Sequence, residues 1–140
     1  MKQFLLLFSL LFFLVATSCD KATPSDETIF DQGVEAYDAG NYDLAFQKFY
    51  SLAQKGNGEA QYVVGYMYFY GLGVAIDLVR AYMWVSLSIE NLSPENASDP
   101  EVTQEIIQDK NSILVFMTAA EKRQAEQLAT ACKAKNYKDC

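Results

Sequence analysis

Histidine is absent from the 140-residue chain. Without it, no serine or cysteine has an imidazole to activate it, and the usual mixed Cys/His zinc ligand sets are unavailable. Basic residues are scarce: 11 Lys and Arg stand against 18 Asp and Glu, a formal net charge of −7. Nucleic-acid binding needs a basic surface, so that class of partner is excluded. Proline occurs only as Pro24, Pro94 and Pro100, each in a segment that reads as tether, loop or helix start. No apolar run is long enough to span a bilayer; Phe4 to Ala16, broken by Ser9, gives way at once to polar chain. Nothing reads as a strand, so the chain is expected to be all-α.

What is present begins with an address. Met1-Lys2-Gln3 is a short positive segment, Phe4–Ala16 is apolar, and Thr17-Ser18-Cys19 follows, the layout of a secretory signal. Ala16-Thr17-Ser18-Cys19 also resembles a bacterial lipobox, in which the cysteine is lipidated and becomes the first residue. It departs from that pattern in having Ala16 where leucine is usual. Ordinary signal cleavage near Ser18 and an uncleaved anchor are the alternatives. Lipid chains contribute ~0.8 kcal/mol per buried methylene, enough for two or more to anchor the chain stably. Asp20 resembles the inner-membrane retention signal of many Gram-negative envelopes. Loss of residues 1–18 removes Lys2 and no acid, leaving 11 − 1 = 10 basic and 18 acidic residues. The surplus reads most simply as a solvated exterior.

Two cysteines remain, Cys132 and Cys140. In an oxidising compartment they are expected to form a disulfide that clips the C-terminus onto the last helix; free thiols would fit a cytosolic domain. So short a loop restrains the unfolded chain by about 2–3 kcal/mol on the loop-entropy account. The spacing fits no zinc site, and no metal or other cofactor is expected.

The expected layout is a signal segment at 1–18, a tether at 19–26, a helical domain at 27–135 and a tail at 136–140. A first helix starts near Glu27 with Ile29, Phe30, Val34 and Tyr37 at helical spacing, and ends at Gly40-Asn41. The second, Tyr42 to Lys55, buries Ala45, Phe46, Phe49, Leu52 and Ala53. The third, Glu59 to Tyr70, is apolar on most sides and therefore enclosed by neighbours. The turn Gly71-Leu72-Gly73 lacks the preceding strand and third glycine of a phosphate loop. Asp77 caps a fourth helix, Leu78 to Asn91. Residues 92–98 read as a polar loop. Asp99-Pro100-Glu101 starts a fifth helix with Val102, Ile106, Ile107, Ile113 and Phe116 as its apolar stripe. A capping box of Thr118 and Glu121 opens the sixth, Ala119 to Lys135, with Ala125, Leu128, Ala129 and Cys132 inward.

The first two helical pairs can be superposed in sequence. Gly33, Tyr37, Gly40, Ala45 and Phe49 match Gly65, Phe69, Gly73, Ala81 and Val85, with a longer loop in the second pair. Each sets a glycine in the leading helix against an alanine in the trailing one. Ala60 to Trp84 closely resembles the Sel-one-like repeat, a tetratricopeptide relative. The match rests on Gly65, Tyr68, the Gly71-x-Gly73-Val74 turn, Asp77, Arg80-Ala81 and Trp84. Gly33 to Ala53 looks more like an ordinary tetratricopeptide repeat. Met117-Thr118 with the Ala-rich helix after it resembles the closing helix of small bacterial members, with Ala119 where proline is frequent. The resemblance covers about 100 residues and is most specific in the middle. It implies a short right-handed α-solenoid of about two helical hairpins, capped by two C-terminal helices, that binds other proteins. These repeats contain no cysteine, so activities of the cysteine-rich branch of the family are not carried over.

Tyr62, Tyr66, Tyr68, Phe69, Tyr70, Tyr82 and Trp84 crowd one hairpin, and most are expected to be core. Tyrosine also suits interfaces, its ring buried and its hydroxyl wet. Solenoids bind along the surface lined by leading helices, which makes Tyr37, Tyr62, Tyr66 and Tyr70 the candidate partner contacts. Asp77 with Arg80 reads as a cap and a surface pair, and Glu35 with Asp38 as a solvated face. Asn91-Leu92-Ser93 and Asn96-Ala97-Ser98 match the glycosylation sequon but read as loop and capping residues. No pair of acids is singled out for acid–base work. The expectation is a non-catalytic adaptor, lipid-anchored through Cys19, facing the periplasm and binding an unidentified protein or peptide. A cell-wall-directed enzyme and an unanchored secreted effector are the alternatives.

Overall fold

The computed structural model describes residues 23–140; the signal segment, Cys19 and the start of the tether lie outside the described residues. Every regular element among them is a helix: α1 Asp26–Asp38, α2 Tyr42–Ala53, α3 Gly58–Tyr70, α4 Leu78–Asn91, α5 Pro94–Ser98, α6 Pro100–Leu114 and α7 Ala119–Ala134. The chain is all-α, as the sequence predicts. The starts are fixed by local chemistry. Asp77 accepts the Arg80 backbone N–H at 2.9 Å, and Asp99 that of Glu101 at 2.8 Å. Thr118 and Glu121 exchange both bonds of a capping box, at 2.7 and 3.2 Å. Each removes orphan donors at a helix N-terminus. Arg80 also pairs with Asp77 at 2.5 Å, as the surface-pair reading has it.

Neighbours in sequence are neighbours in space: α1 packs on α2, α2 on α3 and α3 on α4, while α4 also carries α6 and α7. The core centres on α4, whose Trp84 and Leu87 are fully enclosed together with Phe49 and Leu52 of α2 and Met67 of α3. Close approach explains the α3–α4 crossing at Gly65. A Cβ on Gly65 would lie 2.5 Å from Val85 Cγ2 and 3.0 Å from the Ala81 carbonyl oxygen. The α1–α2 crossing repeats this, a Cβ on Gly33 falling 2.9 Å from the Phe49 ring. Phe30 meets the same ring edge-on, with centroids 5.2 Å apart.

Three expectations are corrected. Residues 92–98 are not all loop, because Ser93 caps the five-residue helix α5. Glu59 holds that helix to the start of α3, its Oε1 accepting from the Ser93 N–H and the Asn96 side chain at 3.2 and 2.7 Å. Phe116 does not continue the stripe of α6: that helix ends at Leu114, and Phe116 is 65% exposed. Leu128 is 39% exposed, because α7 turns Ala125 and Cys132 to α4 and carries Leu128 on its shoulder.

Cys132 and Cys140 are joined, with Cα atoms 5.4 Å apart. The bridge does more than clip the terminus to α7. It encloses Tyr137, which packs beside Gly56 and donates to Asn91 Oδ1 at 3.0 Å. Asn91 donates onward to the buried Gln61 at 2.9 Å, and Gln61 to the Ala53 carbonyl at 3.1 Å. This polar chain ties the C-terminal loop to α4, α3 and the end of α2, and it meets the requirement that buried polar groups be paired.

Candidate functional site

Residues four apart on a helix share a face, so Tyr62, Tyr66 and Tyr70 form one row along α3. Helix α1 does not pack tightly on α3, and a cavity of about 250 Å³ opens between them, lined by Val34, Tyr37, Phe49, Tyr62, Val63 and Tyr66. A second, of about 70 Å³, continues on the other side of the row against α6. It shares Tyr62 and Tyr66 and adds Phe69, Tyr70 and Asp109. The four tyrosines singled out from sequence are therefore brought together on one groove. Tyr66 and Tyr70 have ring centroids 4.5 Å apart, and Tyr70 is 55% exposed.

The rings differ in their surroundings. Tyr62 donates its hydroxyl to Asp109 Oδ2 at 2.5 Å, linking α3 to α6. Burial, then the Asp109 bond and the negative charges of Asp109 and Glu105, push the Tyr62 phenol far above its ordinary pKa. Burial, followed by the neighbouring Tyr37 and Tyr70 phenols, raises Tyr66 less far. Tyr62 and Tyr66 are therefore neutral donors near neutrality. Glu59, at the mouth of a neighbouring cleft, is drawn up by burial. Its own backbone N–H and the Ser93 and Asn96 donors outweigh that and hold it below the ordinary carboxylate range.

Such a groove can bury apolar side chains and offer a few hydroxyls for orientation. Among the described residues, Asp109 is the only carboxylate lining either cavity, and the Tyr62 hydroxyl already occupies it. Among the described residues, no group of three or more acidic or sulfur side chains is placed to hold a metal ion. Within the same limits, no helix is long and apolar enough to cross a membrane.

Sequence reasoning missed three members of the site. Val34 was assigned to the apolar face of α1 but is 41% exposed at the groove. Phe116 reaches the same region by its ring, 5.9 Å from that of Phe69. Asp109 carried a signal that went unread: it falls on the same helical face as Ile106 and Ile113, an acid set in an apolar stripe.

The fold and groove thus define a class, an all-α helical array with a tyrosine-floored, partly open cleft. Comparison with protein-family models, curated proteins and solved structures finds no match to the chain.

Proposed function

We propose that this chain is a non-catalytic adaptor of the bacterial cell envelope, holding a protein or peptide segment in the groove along α3. On this reading Cys19 carries the lipid, the domain faces the periplasm, and the helices form a right-handed solenoid of two hairpins capped by α6 and α7. The observation that carries the binding role is the convergence of Tyr37, Tyr62, Tyr66 and Tyr70 on two adjoining cavities, with Tyr70 more than half exposed. Amphipathic rings that are partly wet in the free protein gain most when a partner excludes the remaining water. Support for the repeat comes from equivalent crossings: Gly33 meets Phe49 as Gly65 meets Val85, at positions that superpose in sequence.

Two experiments test it. Labelling with a fatty-acid analogue should mark the wild-type chain and not Cys19→Ser. Capture from envelope extract should lose its partner when Tyr37 and Tyr66 are both changed to alanine, with the helical content retained. Unchanged capture by a folded double variant overturns the groove as the binding surface.

A further inference from the structure

The charges around the groove are distributed unevenly. Helix α1, its outer wall, carries Asp26, Glu27, Asp31, Glu35 and Asp38 and no Lys or Arg. Helical geometry places Asp31, Val34 and Asp38 on one face, three and four residues apart; Val34 lines the cavity, and Asp31 lies toward the end that borders the cleft holding Glu59. The opposite wall, α6, sets Asp109 in the groove and Glu105 one turn before it, exposed. Among the described residues, no Lys or Arg lines either cavity. Four of the described cations are placed elsewhere. Lys48 donates to Gln32 over a different cleft, between α1 and α2, Lys55 pairs with Asp26, and Lys110 and Lys133 line the cleft between α4, α6 and α7. An apolar floor between two acidic rims is complementary to one kind of occupant.

We infer that the groove along α3 selects a basic amphipathic segment, one that buries aliphatic or aromatic side chains between Tyr37, Tyr62 and Tyr66 while its Lys or Arg side chains meet Asp31 and Asp38 on one rim and Glu105 on the other. This rests on the adaptor reading above and adds the chemistry of the partner to it. Burial on the tyrosine floor supplies the affinity, and the rims supply discrimination and a faster encounter. An acidic segment of the same shape meets like charge along both edges.

The test uses three fluorescent synthetic peptides of 13 residues, the length of α3. One is an amphipathic Leu/Lys helix, one has glutamate for every lysine, and one keeps the lysines but replaces the leucines with serine. Titration against the chain by fluorescence anisotropy should show the Leu/Lys peptide binding at least about tenfold more tightly than either other, by a margin that shrinks as salt screens the rims. Asp38→Asn with Glu105→Gln should weaken it by about threefold to tenfold, the effect of two partly exposed ion pairs. Asp109 is left intact because it holds Tyr62. Tyr66→Ala should abolish binding, and Val34→Gln, at a partly exposed position, should weaken it without threatening the fold.

Other outcomes overturn the inference in distinguishable ways. If the Leu/Glu peptide binds as tightly and is equally sensitive to Val34→Gln, the groove binds segments without regard to charge: the inference falls and the adaptor reading stands. If the Ser/Lys peptide binds as well as the Leu/Lys peptide and Val34→Gln changes nothing, the attraction is diffuse and lies outside the groove. Self-association that is lost in Val34→Gln and competes with the peptide would make a second copy the occupant. If no peptide binds while capture from extract still depends on Tyr37 and Tyr66, the inference falls and the adaptor reading stands; if both fail, both fall.

Discussion

At Gly65 the crossing of α3 on α4 leaves no room for a side chain, since a Cβ would press on both Val85 and the Ala81 carbonyl. Gly65→Ala is expected to cost about 1–3 kcal/mol, the range for forcing extra volume into a packed interior, read as a shift in urea midpoint. Gly40 is the control: its φ is +74° and nothing lies near its Cβ position, so alanine there meets only the cost of a left-handed backbone, about 1–2 kcal/mol. Tyr62 gives a second measurement, in pH. Its phenol is bound to Asp109 and its pKa is raised, so the folded state holds that proton more tightly than the unfolded chain does. The stability it contributes is therefore complete below the ordinary tyrosine value of about 10 and is lost as pH rises above it. Tyr62→Phe should lower stability at neutral pH by about 1–3 kcal/mol, the worth of a hydrogen bond to a charged group. It should also flatten the alkaline decline. A decline as steep as in wild type would show that other groups set it. The Gly65 crossing was legible because small residues amid aromatics leave a pattern in the sequence. The Tyr62–Asp109 bond was not, because its partners are 47 residues apart and neither is distinctive alone.

Among the elements, the helix starts were the most readable, since Asp77, Asp99 and Thr118 each act on a backbone N–H two or three residues away. Phe116 and Leu128 were misplaced because periodicity gives a helix its stripe but not its last residue, nor how wide a face its neighbours cover. Helix α5 was passed over because five residues hold too little periodicity to register. The C-terminal loop was half read. Its disulfide follows from composition, but its use depends on tertiary contact. Asn136, Tyr137 and Asp139 all have left-handed backbones, with φ of 51°, 63° and 54°, a conformation that Asn and Asp tolerate but that a bulky residue such as Tyr137 adopts only when held. The bridge and the Tyr137–Asn91–Gln61 chain hold it. Cys140→Ser, or reduction, should cost about 2–3 kcal/mol by the loop-entropy account. Tyr137→Phe in the bridged chain should cost about 1 kcal/mol. In a double-mutant cycle the two should be strongly non-additive, because without the bridge Tyr137 is no longer presented to Asn91. Simple additivity would mean that the loop keeps its shape unaided.

For the whole molecule, α1 to α4 pack in chain order, and α6 and α7 then both return to α4. Helix α4 therefore meets α3 on one side and α6 and α7 on the other. Tyr82 and Ile89 line the cleft toward α6 and α7, and Lys133 of α7 reaches back to Glu90 at 2.9 Å. Ile106 and Ile113 of α6, with Ala125 and Cys132 of α7, close the same core. A chain ending at Asp99 keeps every residue of the α3–α4 hairpin yet leaves that apolar flank uncovered, together with the Asn91 side chain that Tyr137 had engaged. Contiguous exposed apolar surface of this kind drives association. The fragment is expected to form concentration-dependent aggregates by light scattering and to bind a hydrophobic dye, under conditions where the full-length domain does neither. Restoring α6 alone, in a chain ending at Met117, should reduce the scattering only in part, because α7 covers its own share of α4. A soluble Asp99-terminated chain with a single cooperative unfolding transition would show instead that the four leading helices are self-sufficient and that α6 and α7 are additions to a finished core.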